Sequence, residues 1–113
     1  MSNAQRDDRI PLRIGALADS GPDDALLIEG DAQPPPGRVS AHFSATAGRH
    51  MPGCVCCSAR PGAATALGAL FQARARGEVA WFAAVVAVVR DPAAFAADML
   101  SDRLAAARFR LVH

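Results

Sequence analysis

All three cysteines of the 113-residue chain lie within four positions, as Cys54, Cys56 and Cys57. A histidine, His50, stands shortly before them. Thiolate and imidazole groups are the ligands that zinc and other soft or borderline metal ions prefer in proteins. The cluster therefore predicts a transition-metal site, with zinc as the expected ion and Cys54, Cys56, Cys57 and His50 as its ligands.

Several features leave the ligand set open. The two adjacent cysteines point in different directions if their segment is extended, so either Cys56 or Cys57 can be idle. A closed zinc site needs four ligands, and His42, a carboxylate such as Glu29, water or a cysteine of a partner chain are alternatives to His50. An open coordination shell would suit a carrier that passes its metal on.

The cysteines also allow interpretations without metal. Arg49 and Arg60 flank them and favour the thiolate form, which promotes metal binding and oxidation alike. Cys54 and Cys57 have the Cys-X-X-Cys spacing of thiol redox proteins, although adjacent cysteines rarely close a relaxed disulfide. Thiol redox chemistry and plain buried thiols are therefore the alternatives to a metal site.

Length and charge limit the classes of function. A chain of 113 residues forms one small domain, which we expect over residues 10–113 after a disordered tail of residues 1–9. Lys and Arg total 12 against 11 Asp and Glu, and they are dispersed, so nucleic acid is not an expected partner. No apolar run reaches the roughly 18 residues of a membrane span, and the N-terminal residues do not resemble a secretory signal. We therefore expect no membrane association and a cytoplasmic location.

The elements that position the cysteines follow an α/β pattern. Residues 80–89 are rich in valine and apolar at odd- and even-numbered positions alike, as in a central parallel strand that is covered on both faces. Strands and helices alternate around it, which implies right-handed crossovers and an α/β fold with a mostly parallel sheet flanked by helices. In chain order we predict a strand at residues 12–17, a helix or strand at 23–29, a loop at 34–37, a strand at 39–44, a helix at 62–76, the central strand, a helix at 92–107 and a strand at 109–112.

Individual side chains in the second half of the chain have predicted places as well. Gly77 is the expected C-terminal stop of the helix at residues 62–76, and Asp91 is the expected cap of the next helix. Trp81 and Phe82 are expected to pack in the core at the start of the central strand. Arginines near the C-terminal end are expected on a solvated face, namely Arg103, Arg108 and Arg110.

The cysteine cluster resembles a known family signature. Residues 53–57 read Gly-Cys-Val-Cys-Cys, like the Gly-Cys-Ile/Val-Cys-Cys motif of the CobW-type metallochaperone GTPases. Residues 18–27 lie where that family has its switch loop, and residues 84–92 lie where it has a buried strand, so the resemblance extends over residues 12–111. It implies a partial P-loop-NTPase-like domain that binds metal through Cys54 and one of the other two cysteines.

Departures from the family pattern concern the nucleotide site. A P-loop needs a Lys-Ser or Lys-Thr pair, because the lysine reaches the terminal phosphates and the hydroxyl holds magnesium. The chain contains no such pair, and the family's acidic ETTG segment and base-reading NKxD loop are absent from it. Gly15 and Gly21 have a similar glycine spacing, but Asp23 follows them and would repel phosphate. We therefore expect neither bound nucleotide nor GTPase activity.

The sequence thus predicts a metal-binding, non-enzymatic relative of the CobW-type GTPases with a role in metal homeostasis or delivery. It would act on its own, as a homo-oligomer or together with a full-length relative. The alternative is a protein-interaction module without metal, in which exposed sheet edges pair with another chain or with a second copy. A gene remnant that folds without a specific role would carry the same pattern.

Overall fold

The structure, a computed structural model, describes residues 8–44 and 62–112. Its strands and helices are β1 (Ile10–Ile14), a single-turn 3-10 helix (Leu17–Asp19), β2 (Asp24–Glu29), β3 (Ser40–Phe43), α1 (Ala63–Arg76), β4 (Ala84–Val88), α2 (Pro92–Ser101), α3 (Arg103–Arg108) and β5 (Phe109–Val112). Of the predicted N-terminal tail, residues 1–7 lie outside the described residues, and Asp8 and Arg9 directly precede β1.

The five strands of the described chain are parallel and form one sheet, in the order β3-β2-β4-β1-β5. β4 occupies the centre, with Leu26 of β2 opposite Val86 and Leu12 of β1 opposite Val85. Val85 and Val86 point to opposite faces of the sheet, and both are fully buried. Odd- and even-numbered positions of β4 are both apolar because both faces of this strand are covered. The predicted α/β class, with a parallel sheet and flanking helices, is confirmed.

The two faces of the sheet are covered differently. All three helices contact one another and pack on one face, where the larger core cluster includes Leu67 of α1 and Phe95 of α2. The opposite face carries a smaller cluster around Leu26 and Val86, and Leu17 of the 3-10 helix packs on it. Among the described elements, the helices therefore lie on one face, and a single 3-10 turn packs on the other.

The first helix begins at Ala63, one residue after the predicted start, and ends at Arg76 as predicted. Leu67 and Leu70, which are spaced so that they lie on one side of the helix, are buried. Gly77 ends the helix in the left-handed conformation, with φ at 72°, and its amide donates to the carbonyl oxygens of Ala73 and Arg74. Glycine adopts this conformation without the steric cost that a Cβ atom would add.

The predicted helix at residues 92–107 is in fact two helices. α2 begins as predicted, because Asp91 Oδ1 accepts a hydrogen bond from the Ala94 amide. Asp102 then interrupts the helix, since its Oδ1 accepts a hydrogen bond from the Ala105 amide at 2.9 Å and caps α3. An aspartate side chain can compete with the helical backbone in this way, and the prediction of one continuous helix is wrong.

The central strand begins later than predicted, at Ala84 rather than at residue 80. Trp81 is 68 % exposed, so its predicted place in the core is wrong, whereas Phe82 is buried as predicted. The Arg74 guanidinium lies 3.4 Å from the centroid of the Trp81 ring, and its Nε donates a hydrogen bond to the Phe82 carbonyl oxygen at 2.8 Å. Partial burial lowers the pKa of Arg74 below its usual value, but the guanidinium stays charged at physiological pH. Arg74 thus holds the segment ahead of β4 against the end of α1.

The C-terminal arginines occupy different environments. Arg103 is exposed, as predicted, and Arg110 on β5 is half-buried. The Arg108 guanidinium lies 4.5 Å from the centroid of the Phe71 ring, where the face of the ring attracts a cation. The predicted solvated face is therefore wrong for Arg108 and Arg110, both of which are half-buried.

The other elements follow the prediction with small shifts. Residues 23–29 contain the strand β2 and no helix, and residues 39–44 contain β3. Residues 34–37 form neither helix nor strand, and the last strand is as predicted. The first strand is Ile10–Ile14 instead of residues 12–17. None of the helices in the described part of the chain has the length and apolar character that a membrane span needs.

Candidate functional site

The predicted metal ligands all lie outside the described residues, namely His50, Cys54, Cys56 and Cys57. They belong to the segment of residues 45–61, which Ser44 precedes and Gly62 follows. Ser44 comes directly after β3, Gly62 comes directly before α1, and both residues line the same cavity. The segment with the predicted ligands is therefore joined to the described structure at this cavity.

The cavity has a volume of about 380 Å³ and lies at the carboxyl ends of β2, β3 and β4, beside the first turn of α1 and along α2. The connection that leaves β2 leads to one edge of the sheet, and the connection that leaves β4 leads to the other edge. In open parallel sheets, ligands usually bind in a crevice between neighbouring strands whose connections lead in opposite directions. The position of the cavity alone makes it a candidate binding site.

One wall of the cavity is apolar. Phe43 of β3 and Phe95 and Met99 of α2 line it, and all three are buried. The two phenylalanine rings are tilted by 39° with centroids 6.1 Å apart, a separation at which aromatic pairs attract each other. Phe95 and Met99 are one helical turn apart, so they present one continuous apolar surface on α2.

The polar lining residues are three with hydroxyl groups, Ser44, Thr65 and Ser101, and four with carboxyl groups, Glu29, Asp91, Asp98 and Asp102. Glu29 Oε1 accepts a hydrogen bond from the Arg90 amide at 2.9 Å. Asp91 and Asp102 are the caps of α2 and α3, and each accepts one backbone amide hydrogen bond. A carboxylate can accept more than one hydrogen bond, so each of these side chains retains capacity for a ligand. The described lining residues include no basic side chain.

Of the alternative metal ligands, Glu29 lies at this cavity and His42 does not. His42 precedes Phe43 in β3 and therefore points to the opposite face of the sheet. Its Nε2 lies 2.8 Å from the Ala32 carbonyl oxygen, to which it can donate a hydrogen bond. Within the part of the chain that the structure describes, no three His, Cys, Asp or Glu side chains are grouped to hold a metal ion. A metal site at this cavity would need ligands from the cysteine segment.

The loop after β1 binds carboxylates of its own chain. Asp19 Oδ2 accepts a hydrogen bond from the Ala16 amide at 2.8 Å, and Asp24 Oδ2 accepts one from the Gly21 amide at 2.8 Å. A Cβ atom on Gly15 would lie only 2.9 Å from Asp19 Oδ2, so the loop closes tightly around this carboxylate. Backbone amides of this kind cradle phosphate in a P-loop. In this protein, two such amides, those of Ala16 and Gly21, donate to carboxylates of the same chain.

The cavity was not predicted from the sequence, although one signal pointed towards it. Asp91, Asp98 and Asp102 recur at intervals of seven and four residues, a spacing that groups side chains along one side of a helix. No local sequence pattern indicates that Glu29 and Phe43 lie near these aspartates. It follows from the strand order, which brings residues from distant parts of the chain together.

Comparisons with protein-family models, with curated proteins and with solved structures find no match to this chain. The resemblance of the cysteine motif to the CobW-type GTPases stays a prediction. The features of this chain that bear on function are the donor chemistry of the cysteine segment and the cavity to which that segment is joined.

Proposed function

We propose that this protein binds a transition metal ion, zinc foremost, through Cys54, Cys56 and Cys57 together with His50. The observation that carries the proposal is the presence of three cysteines and a histidine within eight residues. Three thiolates and one imidazole make a complete tetrahedral donor set of the kind that holds zinc. The donor chemistry therefore fits the ion without a ligand from any other part of the chain.

The cavity that Ser44 and Gly62, the two residues flanking the cysteine segment, help to line supports the proposal. Cys57 is five residues from Gly62, and five residues span at most about 18 Å even when fully extended. Carboxylates at the cavity attract cations, and Glu29 can complete the coordination shell if one of the cysteines is idle. An exchangeable oxygen ligand of this kind would suit a protein that passes its metal on.

The proposed role is metal homeostasis or metal delivery in the cytoplasm, where thiols stay reduced and free to bind metal. Two backbone amides of the loop after β1 already donate hydrogen bonds to carboxylates of the chain, which supports a role without nucleotide. A full-length CobW-type protein or a second copy of this chain is the proposed partner in metal exchange.

Anaerobic substitution with cobalt(II) tests the proposed ligands one at a time. Cobalt bound by thiolates shows a near-ultraviolet charge-transfer absorption that grows with the number of thiolates. We expect this absorption in the wild-type protein, and a weaker one for each variant that loses a true ligand among Cys54→Ser, Cys56→Ser and Cys57→Ser. His50→Ala should weaken binding, and His42→Ala is its matched control. A wild-type protein that shows no thiolate absorption after cobalt loading would contradict the proposal.

A second candidate function, a protein-interaction module, is favoured by exposed apolar side chains. Leu100 and Leu104, next to the junction of α2 and α3, are 71 % and 62 % exposed. β3 and β5 are the edge strands of the described sheet, and edge strands offer backbone groups to another chain. Light scattering decides this candidate. A metal-free dimer that becomes a monomer on the double change Leu100→Ser and Leu104→Ser would favour it, and a monomeric wild-type protein would exclude self-association.

A further inference from the structure

We propose that the cavity at the carboxyl ends of β2, β3 and β4 binds an organic cation, a protonated amine carried on an apolar body. This site requires no cysteine, so it is chemically distinct from the proposed thiolate site. The size of the cavity, its apolar wall and its charge each point to this class of ligand.

The cavity has room for a small organic molecule. Its volume of about 380 Å³ lies within the range of about 300–1,000 Å³ that is typical of ligand sites. Buried side chains of Phe43, Phe95 and Met99 give it a wall against which a hydrocarbon or aromatic group loses its contact with water.

The charge of the cavity selects a cation. Four carboxyl groups line it, and the described lining contains no basic side chain. The N-terminal ends of α1 and α2 also face the cavity, but each contributes only about half a positive charge. Arg90 lies nearby, and its guanidinium is directed to Gly30, where a Cβ atom would lie 3.1 Å from it. Within the described lining, the carboxylates therefore outweigh the helix ends, which favours a cationic ligand over an anionic one.

Asp98 is the carboxylate best placed to bind the ammonium group. It lies inside α2, and it caps no helix, whereas Asp91 and Asp102 each hold a capping amide. Asp98 follows Phe95 by three residues, so both side chains lie on the same side of α2. An amine that pairs with Asp98 can therefore place its apolar body against Phe95 and Met99.

Titration with three probes of one carbon skeleton tests the proposal, in the presence of EDTA to exclude metal. The probes are 3-phenylpropylamine, the neutral 3-phenylpropanol and the anionic 3-phenylpropanoate, followed by NMR chemical shifts of the full chain. We expect the amine to bind about fivefold more tightly than the alcohol, as for a solvent-accessible ion pair, and the acid to bind most weakly. Equal binding of the three probes would overturn the proposal.

Two matched substitutions locate the ammonium group. Asp98→Asn should remove the preference for the amine and leave the binding of the alcohol unchanged. Asp23→Asn changes an exposed carboxyl group that does not line the cavity, and it should leave all three affinities as they are. If both variants kept the wild-type preference for the amine, the assignment of the cation to this cavity would be overturned.

The cation site and the thiolate site can be tested independently. A variant with Cys54, Cys56 and Cys57 all changed to serine should lose metal and keep its preference for the amine. Loss of amine binding in this variant would contradict a site that needs no cysteine. A wild-type protein that binds the amine but no metal would support the cavity site and contradict the metal site.

Discussion

At the scale of single residues, Arg74 connects two elements that are adjacent in the chain. Its backbone lies in the last turn of α1, its guanidinium stacks on Trp81, and its Nε donates to the Phe82 carbonyl oxygen. A planar guanidinium makes the stack and the hydrogen bond at once, which a lysine ammonium cannot do. Arg74 therefore fixes the approach of the chain to β4.

Replacing Arg74 by lysine is expected to lower the free energy of unfolding by about 1 kcal/mol, because the charge stays while the stack and the Nε hydrogen bond are lost. Trp81 is the only tryptophan of the chain, so its fluorescence reports the loss of the stack directly. Arg76→Lys is the control, since Arg76 is an exposed residue in the same last turn. Equal effects of the two changes on stability and fluorescence would argue against this role of Arg74.

Asp102 determines where α3 begins. Asp102→Ala removes the side-chain oxygen that accepts the Ala105 amide hydrogen bond, and it should lower the free energy of unfolding by about 1 kcal/mol. Asp102→Asn keeps an acceptor and should remain close to wild type. Urea denaturation of the three proteins measures both effects. An alanine variant as stable as the wild type would show that α3 does not depend on this cap.

Only one of the two aspartate caps could be predicted from the sequence. Asp91 precedes a proline, and that pair is a strong signal for the start of a helix. Asp102 has no proline after it and stands inside a run whose apolar spacing continues through Leu104 and Ala105. The apolar spacing therefore predicts one continuous helix across Asp102, although the Asp102 side chain caps α3.

At the scale of elements, α1 has one glycine inside it, Gly68, and one at its C-terminal end, Gly77. A Cβ atom on Gly68 would have Arg108 Nη1 at 3.7 Å as its nearest neighbour, which is an ordinary contact. Gly77 adopts a positive φ of 72°, which residues with a side chain rarely do. The two positions should therefore respond to alanine with opposite signs.

Gly68→Ala is expected to raise the free energy of unfolding by about 0.5–1 kcal/mol, because alanine loses less backbone entropy in a helix. Gly77→Ala is expected to lower it by about 1 kcal/mol, because alanine is strained at this φ. Thermal denaturation of the two variants beside the wild type gives the comparison. Changes of the same sign would contradict the conformations described for these glycines.

Elements with a strong local pattern are the predictable part of this fold. Apolar residues at helical spacing, among them Leu67 and Leu70, and the final Gly77 define α1. The burial of both Val85 and Val86 follows from a run that is apolar at odd- and even-numbered positions alike. The start of β4 is not predictable in this way, because residues 80–83 are mostly apolar too. Arg74 of another element contacts Trp81 and Phe82 in this segment, and no local pattern indicates that contact.

At the scale of the whole molecule, the parallel sheet brings Glu29, Phe43 and Asp91 close together, since the carboxyl ends of parallel strands all lie at the same end of the sheet. Local sequence patterns do not encode the order β3-β2-β4, and the cavity could not be predicted for this reason. The cysteine cluster is visible in the sequence because its members are close neighbours in the chain. The connection at Ser44 and Gly62 joins this cluster to the cavity.

The measurement that tests the central claim most directly is metal content by inductively coupled plasma mass spectrometry. It compares the wild-type protein, purified without a metal-binding tag, with the variant in which Cys54, Cys56 and Cys57 are all serine. We predict about one zinc ion per chain in the wild-type protein and none in the variant. Absence of metal from both proteins after anaerobic loading with zinc would contradict the claim that this protein binds metal through its cysteines.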